Sequence, residues 1–106
     1  MIKKILVFLF FVFTINVFSQ EKSIDNLSAA PNPFTSTTKI TFKASKNTNV
    51  FFVVKNVLGK TIHKEVFKAK TGTNSIPFSK GDLSTGIYIY SIQNEKRIIS
   101  KRFVIK

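Results

Sequence analysis

The chain has no cysteine and no tryptophan, a single histidine, and five acidic residues against seventeen lysines and arginines. Without cysteine there is no disulfide, no thiolate nucleophile and no thiolate metal site, so stability must come from apolar packing and strand pairing. With one histidine, His63, any hydrolytic triad would depend on that residue. Together with Glu65 on the same strand face it is still two ligands short of a zinc site. Glu21, Asp25, Glu65, Asp82 and Glu95 are scattered, and no two are spaced to work as an acid–base pair on one strand. A glycine-rich phosphate loop is also missing. The pattern argues against an enzyme and implies neither cofactor nor metal.

Phenylalanine is abundant, with twelve residues, and a long apolar stretch opens the chain. MIKK precedes ILVFLFFVFTINVF (Ile5–Phe18), and Ser19-Gln20-Glu21 follows. A charged start, an apolar run of roughly 14 residues and a small residue at the boundary describe a cleaved signal peptide. A membrane-spanning helix needs about 20 apolar residues. The expected cut is Ser19–Gln20, removing residues 1–19 and leaving no transmembrane anchor. With no cysteine at that boundary, a lipoprotein anchor is excluded. Roughly 87 residues remain, with a net charge of roughly +10. An exported chain without cysteine fits a bacterial envelope or secreted protein. Phe34, Phe42, Phe51, Phe52, Phe67, Phe78 and Phe103 stay available for a core. A domain of this size buries only about 60–65% of its unfolded surface, so its margin of stability is small.

The remaining chain reads as short strands between turn residues, with no sustained helical period. Ser23–Ala30 is a weak first strand. Lys39–Ala44 alternates cleanly, Val50–Val57 is the most apolar strand, and Thr61–Ala69 follows the Gly59-Lys60 turn. Asn74–Phe78 is interrupted by Pro77, which confines it to a sheet edge. Ile87–Gln93 and Arg97–Ile105 form a final hairpin across Asn94–Lys96. All four glycines, Gly59, Gly72, Gly81 and Gly86, fall between apolar runs, where positive φ is wanted. About seven strands with regular turn signals predict an antiparallel β-sandwich. Val50, Phe52 and Val54, and likewise Tyr88, Tyr90 and Ile92, should face inward. Phe51 with Ile87 or Ile89 could form an exposed apolar patch.

The positive charge is spread over Lys22, Lys39, Lys43, Lys46, Lys55, Lys60, Lys64, Lys68, Lys70 and Lys80, and is densest at Lys96, Arg97, Lys101, Arg102 and Lys106. An exported protein meets little nucleic acid, so that partner is set aside. A solvated surface, or attraction to an anionic outer-membrane surface, accounts for the charge better.

The stretch PNPFTSTTKITF (residues 31–42) places two prolines within three residues. Each fixes φ near −65° and pushes the residue before it towards extended geometry, which predicts a stiff, extended corner between strands. Four further stretches follow in order: NVLGK-x-I, G-x-N-x-I-x-F, LSTGIYIYSI and KRFVIK. Together with PNPF-x-x-x-TKITF, they resemble the C-terminal sorting domain of the type IX secretion system of Bacteroidetes-type bacteria, over residues 27–106. Two positions depart from the family pattern: Ala30 precedes the PNP, and Lys55 precedes the Asn56–Gly59 turn, where larger or aromatic residues are common. A slightly reduced core is expected from them.

The resemblance implies an Ig-like sandwich of about seven strands that directs export across the outer membrane. Residues 20–26 would be a short linker. The chain would cross the inner membrane by the general secretory route and reach the cell surface or medium through the periplasm. Its partners would be the outer-membrane translocon, its shuttle and a sortase, which releases cargo or joins it to anionic lipopolysaccharide. Recognition would fall on Pro31, Asn32, Pro33 and Phe34, on Gly59, Gly86 and Tyr88, and on Lys101, Arg102 and Lys106; sortase cleavage would fall within Gln20–Leu27. Such domains end much longer proteins, whereas few residues here separate the signal cut from the domain. A small stand-alone secreted protein, a remnant of a longer gene and a retained surface module are all compatible with that. The alternative function is a cell-surface binding or adhesion module contacting polyanionic glycans.

Overall fold

The computed structural model describes residues 23–106; the expected signal peptide and its cleavage site lie outside the described residues. Among those residues there are seven strands and no helix: β1 Ile24–Ala30, β2 Thr37–Ala44, β3 Thr48–Lys55, β4 Thr61–Ala69, β5 Gly72–Ser79, β6 Gly86–Gln93 and β7 Ile98–Ile105. They form two antiparallel sheets, β1-β2-β5 and β4-β3-β6-β7. This is an Ig-like sandwich in which β4 pairs with β3, where the constant-type immunoglobulin arrangement puts the fourth strand on the other sheet.

Alternation along the strands produces the core. Val50, Phe52 and Val54 of β3 face Ile40, Phe42, Ile76 and Phe78 of the other sheet, and Tyr88, Tyr90 and Ile92 of β6 join them, all buried. Each such side chain contributes roughly 1.5–3 kcal/mol on leaving water. Phe103 sits at the centre of an aromatic cluster, with ring centroids 5.1 Å from Phe34, 5.5 Å from Phe78, 5.2 Å from Tyr90 and 6.1 Å from Tyr88. The Phe34 ring meets Phe103 edge-on, an orientation that aligns ring edge with ring face. Burial among these residues pushes the Tyr90 hydroxyl pKa up.

Most strand boundaries move by one or two residues from the sequence expectation, and three strands depart from it for an evident local reason. β1 reads as weak because its alternation breaks. Asn26 adopts φ 55° and the register with β2 slips between Asp25 and Ser28, so Ile24 and Leu27 both turn inward. β3 stops at Lys55 because Asn56 folds the chain into a turn, its side chain accepting the N–H bonds of Leu58 and Lys60 at 3.0 Å each. β5 extends to Gly72 and Ser79 because it pairs with β2 along its whole length. Pro77 lies on β5, at the edge of its sheet as its missing N–H requires.

On the outer face, alternation is a poorer guide. Val53 and Ser91 are paired on the two central strands and both are buried, although they share the parity of exposed Phe51 and Ile89. Lys64, opposite Val53, carries its Nζ to 4.8 Å from the Phe51 ring centroid and helps cover this row. Ala30 and Lys55, the two departures from the family pattern, are both exposed. The expected reduction of the core is therefore corrected: neither position belongs to it.

Candidate functional site: one pole of the sandwich

Strand direction determines where the motifs lie. β1, β3, β5 and β7 run towards one end of the sandwich, and β2, β4 and β6 start from it. The connections 31–36, 56–60 and 80–85, and the end of β7, therefore gather at this motif pole. Ser23 and the connections 45–47, 70–71 and 94–97 occupy the opposite pole, tied by the bonds Ser45 N–H to Ser23 O (3.0 Å) and Asn94 Nδ2 to Ser23 Oγ (2.9 Å). Strands of about eight residues put the poles about 25 Å apart.

The corner at residues 31–34 is bent where the sequence predicts it extended, and both prolyl peptide bonds, Ala30–Pro31 and Asn32–Pro33, are cis. Pro31, Asn32 and Pro33 are exposed, while Phe34 is only 2% exposed and fills the aromatic cluster. The bend serves two contacts at once. It carries Phe34 into the core, and it lays the corner along the free edge of β7. The Asn32 carboxamide acts as a short strand, donating to Arg102 O at 3.2 Å and accepting from Val104 N–H at 2.9 Å. The Phe34 N–H bonds Val104 O at 3.0 Å and the Lys106 N–H bonds Phe34 O at 2.8 Å, an isolated parallel bridge. Thr38 Oγ1 donates to Pro31 O at 2.7 Å and holds the corner from the β2 side. The edge of β7 from Arg102 to Lys106 is thus sealed, which removes an exposed pairing template.

Gly59 takes φ 83° in the β3–β4 turn and Gly86 takes φ 147° where the 80–85 connection enters β6; both conformations are awkward for a side chain. Tyr88 is 5% exposed, and its hydroxyl donates to Ser84 O at 2.7 Å, pinning that connection. Lys101, Arg102 and Lys106 are exposed on the last strand. Nine of the ten residues singled out from sequence thus lie around the motif pole and the adjoining end of β7, while Lys101 stands at mid-strand opposite Tyr90. Phe34 and Tyr88, being buried, can act there only by holding the surface in shape. Tyr88→Phe is expected to lower stability by about 1 kcal/mol through loss of the Ser84 bond. Urea unfolding measures this, and an unchanged midpoint would show that the bond contributes nothing.

Sequence reasoning missed Thr38 and the exposed pair Val57 and Leu58. The pair carries a legible signal, two aliphatic residues inside a turn motif. The suggested patch of Phe51 with Ile87 or Ile89 divides in two. Phe51 pairs with Gln93 and Val66 towards the opposite pole, whereas Ile89 pairs with Lys55 four residues along β6.

Elsewhere, the His63 ring stands between Phe52 and Phe78, at 5.6 and 5.4 Å, with Nε2 3.4 Å from Glu65 Oε1. Among the described residues no three His, Asp or Glu side chains are grouped to hold a metal ion. A shallow groove at the opposite pole is lined by Asn47, Thr48, Asn49, Lys68, Ala69 and Lys70, a polar and basic set without a carboxylate.

Compared with known families, residues 28–106 match the secretion system C-terminal sorting domain, a span that takes in most of β1 and every later strand. No curated protein is significantly similar in sequence.

Proposed function

The chain belongs to the family of secretion system C-terminal sorting domains, and from that premise we propose that its motif pole is the surface read by the type IX translocon, its shuttle and its sortase. Family membership carries the sorting role itself, engagement with the type IX machinery, and export to the outer membrane, the cell surface or the medium. The finer assignment draws its support from one observation. Motifs from four separate stretches meet at one pole of the sandwich, the pole opposite Ser23.

In this reading Pro31, Asn32, Pro33, Gly59, Gly86, Lys101, Arg102 and Lys106 form the contact surface, and Phe34 and Tyr88 keep it in register. The function is non-enzymatic. The chain enters the periplasm under its signal peptide and leaves through the outer membrane, and cargo is then released or joined to anionic lipopolysaccharide. The sortase cut falls before Ile24. Ile24 and Leu27 are buried in a paired strand, and cleavage between them would require stripping β1 from its sheet.

A reporter tests the proposal. A fluorescent protein inserted between Gln20 and Glu21, in a host with a working type IX system, is expected on the surface or in the medium, and in the periplasm of a translocon mutant. Fractionation and surface protease access read its position. Reporter held in the periplasm of the wild-type host overturns the sorting role.

A further inference from the structure

We infer that the β3–β4 turn is an insertion element for the interface of an anionic phospholipid bilayer. Among the described residues, Leu58 and Val57 are the most exposed large apolar side chains, at 89% and 68%. They stand at the tip of a turn whose own groups bond most of its N–H donors. The Asn56 N–H bonds Lys60 O at 3.0 Å, the Gly59 N–H bonds Asn56 O at 2.9 Å, and Asn56 Oδ1 takes the N–H groups of Leu58 and Lys60. Unpaired N–H groups make it costly for a loop to leave water. This tip has most of its donors already bonded, so its N–H groups add little to the cost of dehydration.

The surroundings supply a matching charge pattern. Lys55 and Lys60 flank the turn, and the cross-strand row Lys55–Ile89–Arg102 continues from it over the outer face. Ile87 and Val104 lie one row further towards the pole. Lys80 and Lys106 stand at the same end, where Asp82 is the one acidic residue among the described residues. Aliphatic stems at these positions can follow the apolar tip inward while their ammonium groups stay at the phosphate level. A protein slot would be expected to grip an aromatic or arginine anchor set in a fixed constellation. Two unaccompanied aliphatic residues inside a diffuse basic collar instead match a planar, diffuse negative charge. The inference does not rest on the sorting role, because a lipid surface requires no secretion machinery to be present.

The test is sedimentation of the exported protein, recovered after signal removal, with vesicles of phosphatidylcholine containing about 30% phosphatidylglycerol at about 0.15 M salt. Binding to these vesicles and little to phosphatidylcholine alone is expected. Val57→Ser combined with Leu58→Ser should weaken partitioning by at least about tenfold, and Lys55→Glu combined with Lys60→Glu by a similar factor. All four side chains are exposed, so circular dichroism should show an unchanged fold. Equal binding by the serine variant would overturn the inference, leaving charge alone. Absence of wild-type binding would overturn it too, and cross-linking from position 58 to an envelope protein would then assign the tip to a protein partner.

Discussion

Phe103→Ala is expected to bring the domain to the brink of unfolding. The ring is fully buried and lies within 6.1 Å, centroid to centroid, of four other aromatic rings drawn from the corner and from β5 and β6. Truncating a phenylalanine in such a setting costs about 3–5 kcal/mol, because the neighbours cannot all collapse into the space. A small domain without disulfides stands near the lower end of the usual 5–15 kcal/mol, so that loss is most of its stability. With a urea slope of about 1 kcal/mol/M for this size, the unfolding midpoint should fall by about 3 M or more. A fall of less than about 1 M would mean that the cluster refills the space and that Phe103 is not its keystone.

Removal of Lys101–Lys106 should have a larger effect still. The cut takes Phe103 and Ile105 from the core and takes from Asn32 and Phe34 the backbone groups they bond. The truncated chain is expected to lose cooperative unfolding, and its reporter fusion to stay in the periplasm. Normal surface delivery would refute a targeting role for this segment. Retention has two physical causes, loss of the fold and loss of the contact surface, and a second variant separates them. Lys101→Glu, Arg102→Glu and Lys106→Glu together change only exposed side chains and should leave the unfolding midpoint nearly unchanged. Retention of that folded variant in the periplasm is the expected result and assigns recognition to the charges. Its delivery would show that the terminal strand matters through the fold alone.

Much of this architecture is legible in the residues. β3 and β6 show their inner faces by simple alternation, Pro77 marks an edge, and the glycines mark turns that the backbone does take through positive φ. The rest depends on pairing partners that a linear pattern does not contain. β1 hides behind a bulge that breaks its period. Val53 and Ser91 are buried because they are central in their sheet, which no single strand reveals. The motif residues could be named from sequence, but their roles could not be divided. Phe34 sits between two exposed prolines' worth of corner and the sheet, and only the bend towards β7 shows that it belongs to the core.

The Asn32 pairing with β7 spans 72 residues of chain and is among the longest-range bonds in the fold. Closing so long a loop is entropically costly until other contacts are in place, so it belongs late in the order of folding events. Before β7 docks, the corner has no partner to hold its shape, and the motif pole is an unfinished surface. A receptor that binds this pole therefore also reports on maturity. On the proposal that this pole is the docking surface, such a receptor would pass over nascent, clipped or half-folded chains without a separate inspection step.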